Sequence, residues 1–151
     1  HTNDASGALV RLMHMGIEPF LLSSAVVGVI GQRLLRTVCP SCSESLPAED
    51  KWVNEFNLST HDGSRPLLAR GRGCSRCNGR GVKGRTAVCE IMPFTEGTRD
   101  LILKRANAGE IQEQARKDGM STMRSIGVRK MLEGLTTPEE VVRILLREEE
   151  D

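Results

Sequence analysis

The chain has 151 residues, 27% of them charged, with 21 Lys and Arg against 20 Asp and Glu and a formal net charge of +1. With 38% hydrophobic residues this is a soluble globular composition, enough for one ordinary domain or two small ones, and it excludes a disordered chain. No apolar run nears the roughly 18 residues that a transmembrane helix needs. One Trp, three Phe and no Tyr leave the core to Leu, Val, Ile and Met.

The chain starts at His1, and "HTNDASG" has neither the basic region nor the apolar core of a signal peptide, so a cut edge and a larger parent protein are expected. Leu9, Val10, Leu12 and Met13 fall at helical spacing. Asn3 or Asp4 is placed to cap that helix and Gly16 to close it. "EPFLLSSAVVGVIGQ" reads as a largely apolar, buried helix with Pro19 in its first turn. "QRLLRTV" reads as a strand leading to Cys39, with Leu34 inward.

From Cys39 to Lys83 large apolar residues become few, and "PAEDKWVNEF" is the one short helix expected. So small a segment cannot bury a sufficient core and needs a staple. "GRTAVCEIM" reads as a strand. Four short helical pieces follow. The first is capped by Thr95, the next two end at Gly119 and Gly134, and Thr137-Pro138-Glu139-Glu140 forms a capping box for the fourth. The closing "EEED" reads as a solvated tail, fraying because acid at a helix C-terminus opposes the dipole.

Five cysteines include two Cys-x2-Cys pairs, "CPSC" at 39–42 and "CSRC" at 74–77, with 31 residues between them. The four thiolates Cys39, Cys42, Cys74 and Cys77 match tetrahedral zinc. A thioredoxin-type redox centre needs one such pair, and an odd count fits a disulfide framework poorly. An iron–sulfur cluster would also take four cysteines, but the pair-and-pair arrangement favours zinc. With all four positions held by protein, the metal is structural. Gly79, or Gly79 and Gly81 together, can turn backbone N–H groups toward sulfur. Cys89, in an apolar strand, reads as a small buried hydrophobe. His14 reads as a surface or packing residue. His61 could reach a metal, but four cysteines suffice.

Arg65 to Arg85 holds seven basic residues and no acidic one. That suits phosphate, with salt-sensitive binding, yet the stretch has no aromatic to stack on bases. An acidic protein face would suit it equally.

Cys74-x-x-Cys77-x-Gly79-x-Gly81 is locally similar to one repeat of the DnaJ-type chaperone zinc domain. A longer resemblance rests on "HTNDASGALVRLMHMGIEPFLLSSAVVGVIGQRLLRTVCPSC", "GCSRCNGRGVKGRTAVCEIMPF" and "GMSTMRSIGVRKMLEGLTTPEEVVRIL". Together these resemble the C-terminal part of the type II secretion and type IV pilus assembly ATPases, hexameric motors of the secretion-NTPase superfamily. The resemblance implies an α/β fold: the C-terminal part of a RecA-like nucleotide-binding core with a tetracysteine zinc insert, followed by a small helical subdomain. Its parts would be residues 1–38 (core), 39–84 (insert), 85–94 (returning core strand) and 95–151 (helical subdomain).

His1-Thr2-Asn3-Asp4-Ala5 is similar to the end of the family's histidine box, so His1 is expected to support the catalytic site. Gln32-Arg33-Leu34 matches a core-strand segment. Cys39, Cys42, Cys74 and Cys77 match the zinc site. Gly84-Arg85 begins the returning strand, where Cys89 replaces an aromatic the family often carries. No G-x-x-x-x-G-K-[ST] cradle is present. The Walker elements are expected ahead of His1, so ATP and Mg²⁺ belong to the parent and this chain alone is expected to be inactive. The resemblance implies a homo-hexamer, cytoplasmic and peripheral to the inner membrane, with a membrane platform protein as partner and no nucleic acid. The alternatives are a zinc-ribbon module for nucleic acid and a zinc-containing chaperone element.

Overall fold

The computed structural model describes residues 2, 4–59 and 63–146. His1, Asn3, His61 and the acidic tail, each given an expectation above, lie outside the described residues. The fold is mixed α/β and forms two compact units, residues 1–32 with 89–123 and residues 33–88 with 124–151.

The first unit opens with α1 (Ala5–His14), where the Asp4 side chain accepts the Gly7 N–H at 2.6 Å, one of the donors a helix start leaves unpaired. Helix α2 (Pro19–Ala25) starts at its proline but is far shorter than the expected run to Gln32. The β-branched series Val26, Val27, Val29 and Ile30 loses side-chain freedom in a helix and fits a strand. The backbone turns extended at Val26, and β1 runs from Gly28 to Val38. Nor is α2 buried throughout: Phe20 is 71% exposed. The inward leucine of β1 is Leu35, fully buried, while Leu34 is 43% exposed. Side chains alternate along a strand, so a register displaced by one residue exchanges the two faces.

Strand β4 (Val82–Pro93) pairs with β1. Cys39 N–H donates to Gly81 O at 2.9 Å and Phe94 N–H to Val27 O at 3.2 Å, which fixes the pair as antiparallel. Helix α4 (Glu96–Leu103) is capped by Thr95, which accepts the Thr98 N–H. Helix α5 (Ala108–Lys117) carries a complete capping box between Asn107 and Glu110. Leu9, Met92, Ile102 and Ile111 centre the apolar core of this unit. The Arg99 guanidinium donates to the Ser23 and Val26 carbonyls, closing the end of α2, and lies over the Phe94 ring.

The second unit contains a hairpin that local pattern does not announce. Strands β2 (Ser43–Pro47) and β3 (Leu67–Gly71) are antiparallel, with Ser43 opposite Gly71 and Pro47 opposite Leu67. Helix α3 (Asp50–Phe56) lies between them in sequence, and its Trp52 and Phe56 stack. Helix α6 (Met123–Leu132) is followed by α7 (Pro138–Val141) and a π-helical turn, Val142–Leu146. A Cβ at Gly127 would run into Leu145, so glycine there lets the last segment approach α6.

The capping box at α7 is half made. Thr137 accepts the Glu140 N–H at 3.3 Å, but the Glu140 carboxylate turns instead to Arg36 and Arg143. It is 3% exposed. It accepts the Arg36 backbone N–H at 2.9 Å, Arg36 Nη2 at 2.9 Å and Arg143 Nη2 at 2.7 Å. Burial pushes this carboxyl up, but those donors and the Arg143 charge outweigh it and hold the group at about 2.

Candidate metal centre

The two cysteine pairs lie on different turns. Cys39 and Cys42 sit between β1 and β2, with the Cys42 N–H closing on the Cys39 carbonyl at 3.2 Å. The second pair spans a 3₁₀ turn at Ser75–Cys77, ended by Asn78 in the left-handed region with φ 53°. Cys77 N–H and Gly79 N–H both donate to the Cys74 carbonyl. The glycine whose N–H meets sulfur is Gly81, at 3.2 Å from Cys77 Sγ, matched by Cys74 N–H at the same distance.

Backbone contact brings the turns together. A Cβ on Gly71 would enter the Gly81 carbonyl, and one on Gly81 would enter that of Gly71. Only two glycines let the end of β3 pass the second knuckle so closely. Arg72 N–H adds a bond to the Cys42 carbonyl at 3.0 Å.

The four sulfurs lie within 4.8 Å of one another and could hold a metal ion. Cys39 and Cys74 stand 4.0 Å apart, Cys42 and Cys77 3.9 Å, and Cys74 and Cys77 3.8 Å. Sulfurs each about 2.3 Å from one tetrahedral zinc would be about 3.8 Å apart. None of the four is in a disulfide, and all but Cys74 are buried. The N–H groups of Cys74 and Gly81 lower the Cys77 thiol to about 6 against the effect of burial. Burial pushes Cys42 up to about 12. A divalent cation among the sulfurs would favour the thiolate at all four, since a coordinating thiol loses its proton. Donor chemistry, spacing and burial thus fit a closed structural metal, which would cross-link β1, the hairpin and β4. With all four positions taken it has no open place for a substrate.

Cys89 is half-buried, not enclosed as expected: strand alternation gives the interior to its neighbours Val88 and Glu90. His14 is exposed. Four of the seven basic residues are engaged inside the insert. Arg65 pairs with Asp50, Arg72 with Glu44, Arg76 reaches Ser41 Oγ, and Arg80 donates to the Cys77 carbonyl. Arg70, Lys83 and Arg85 remain exposed. Sequence reasoning missed the burial of Glu90 and of Glu140, which it had placed only in a capping box. The signal for Glu90 was present, as one acid inside the apolar strand "TAVCEIM".

A profile of the family described as Type II/IV secretion system protein matches residues 1–143. The chain belongs to this family. It is 45% identical over 148 residues to Type II secretion system protein E of Pseudomonas aeruginosa, covering 98% of this chain and 29% of that protein. It is 42% identical to Type IV pilus assembly ATPase PilB of Thermus thermophilus (94% of this chain, 16% of that protein). Against the protein of the same name from Myxococcus xanthus it is 44% identical (94% and 25%). The chain therefore spans less than a third of the length of these secretion-family relatives.

Proposed function

We propose that the chain is the C-terminal part of a motor ATPase that powers type II protein secretion or type IV pilus assembly. The observation that carries this reading is the family match over residues 1–143, with relatives at 42% and 44% identity named as pilus assembly ATPases. In the full-length protein, ATP hydrolysis with Mg²⁺ would drive polymerisation of pilins or pseudopilins. A homo-hexamer of RecA-like cores would act on a membrane platform protein from the cytoplasmic side. No helix among the described residues is long and apolar enough to cross a membrane, which is compatible with peripheral attachment.

Within this reading residues 1–38 and 85–94 belong to the RecA-like core and 95–151 to a helical subdomain. Residues 39–84 are an insert held by zinc on Cys39, Cys42, Cys74 and Cys77. His1 and its neighbours would support the nucleotide site. The zinc contributes rigidity, not chemistry.

The test compares the full-length protein with the 151-residue chain. The expected result is Mg²⁺-dependent ATP turnover from the first, none from the second, and about one zinc per chain in both, as four thiolates per ion require. A full-length protein without turnover overturns the motor reading. Sequence-specific nucleic-acid binding that survives moderate salt would replace it with the zinc-ribbon reading.

A further inference from the structure

Two arginines of the insert are tied to the cysteine turns and meet no acid. Arg76 lies within the second knuckle, and its Nη1 donates to Ser41 Oγ, within the first, at 3.3 Å. Arg80 follows the second knuckle, and its Nε donates to the Cys77 carbonyl at 3.3 Å. Neither forms an ion pair among the described residues, whereas Arg65 and Arg72 pair with Asp50 and Glu44. A guanidinium does not lose its proton in a protein, so both charges are permanent.

The loop fixes where these charges stand. Gly73 and Gly79 close its base, since a Cβ on Gly73 would come within 2.6 Å of the Gly79 carbonyl oxygen. The Cys77 carbonyl accepts both the Arg80 backbone N–H, at 3.2 Å, and Arg80 Nε, so that side chain folds back on the knuckle. Arg76 links the same two turns that the sulfur pairs Cys39–Cys74 and Cys42–Cys77 bring together. A divalent cation held by four thiolates leaves two negative charges in excess, and three of these cysteines are buried. Buried charge is costly unless it is met. The Cys74 and Gly81 N–H groups meet part of it at Cys77 Sγ. The two arginines without acids supply as many positive charges as the excess requires.

We propose that Arg76 and Arg80 are the counter-charges of the metal centre: this part of the basic stretch serves the metal-bound thiolates, not an anion from outside. The proposal rests on the reading that the four sulfurs hold zinc. Neither arginine coordinates the metal. Each acts through its field at the sulfurs, and Ser41 and the Cys77 carbonyl hold it in place. With the thiols protonated and no metal bound, the guanidiniums face no such charge, so their contribution belongs to the loaded state.

The test measures the zinc affinity of the full-length protein by competition with a chromophoric chelator. Wild type is compared with Arg76→Gln, Arg80→Gln and Arg80→Lys, and with Arg65→Gln, whose charge is already met by Asp50. Losing an outer partner of a metal ligand costs roughly 10- to 100-fold in affinity, and because both guanidiniums reach solvent about tenfold is expected for each Gln variant. Arg80→Lys keeps the charge and loses the Nε donor, so it should stay within about threefold of wild type. Arg65→Gln should stay within about twofold, as its site is screened from the sulfurs. Salt shortens the Debye length from about 10 Å at 0.1 M to about 3 Å at 1 M and should narrow the gap between wild type and the Gln variants. Gln variants as tight as wild type, or a gap that persists unchanged at high salt, overturn the proposal. So does Arg80→Lys as weak as Arg80→Gln, which would leave Arg80 only its hydrogen bond to the Cys77 carbonyl. A wild type without zinc overturns the metal reading itself.

Discussion

The apolar core of the first unit and the cysteine cluster of the second solve one problem by opposite means. The first packs Leu9, Met92, Ile102 and Ile111 from four elements. The second also buries Leu35, Met131 and Val141, but its cluster of Cys39, Cys42 and Cys77 has only Cys74 packed against it among the described residues. A core built of many dispersion contacts loses stability in increments. A cluster held by four bonds to one ion would lose its cohesion at once. The two regions should therefore respond differently to the same insult.

The largest effect expected is metal removal. Chelation, or Cys74→Ser, should release about one zinc per chain and forfeit on the order of 10 kcal/mol of coupled binding and folding. Hydrogen exchange should then rise across residues 39–83 and stay slow in α4 and α5. Uniform acceleration in both regions would mean that the two cores are not independent. If no metal is found and Cys39 and Cys42 are oxidised, the redox reading of the pairs returns.

The converse substitution is Ile111→Ala, which opens a cavity in the first unit at a cost of roughly 2–5 kcal/mol. Chemical denaturation should show that loss while zinc content, measured on folded protein, stays at about one. Zinc release at native conditions would break the comparison.

A smaller effect is expected at Glu140. Glu140→Gln should cost about 2 kcal/mol, less than a fully buried pair because both arginines are half exposed. The pH dependence has a definite sign. The folded carboxyl lies near 2, below its ordinary 4.5, so its contribution is complete above about pH 4.5 and is lost as pH falls toward 2. Acid unfolding of the wild type should show this loss and Glu140→Gln should not; identical acid curves would remove the arginine contacts as its source.

The smallest effect is Thr95→Ala, which removes the cap of α4 and should lower stability by about 1 kcal/mol, read as a shift in the denaturation midpoint. An unchanged midpoint would show that the Thr95 bonds to Thr98 and Asp118 are replaced by water.

Much of this was legible where the relevant groups are close in the chain. Asp4, Thr95 and Thr137 cap the helices their positions suggested, because a cap acts over three residues. The cysteine spacing named the four sulfurs that the structure brings together. Longer runs were less clear. The apolar stretch from Pro19 to Gln32 satisfies a helix and a strand alike, and β-branching after Ala25 decided it. The β2–β3 hairpin was not foreseen, since its strands are five residues long and its order comes from the turns beside them.

The sequence by itself determined the elements with local signals and which four sulfurs would meet, because spacing encodes what meets within a turn or a knuckle. Only the tertiary structure decided which carboxylates are buried and for what. Glu90 finds the Ala5 amide 85 residues away, and Glu140 finds Arg36 across 104. The passage of Gly71 against Gly81 was decided there too. No periodicity records such meetings. A buried charge takes its partners from whatever the fold delivers, and the cost of leaving it unpaired makes that delivery exact.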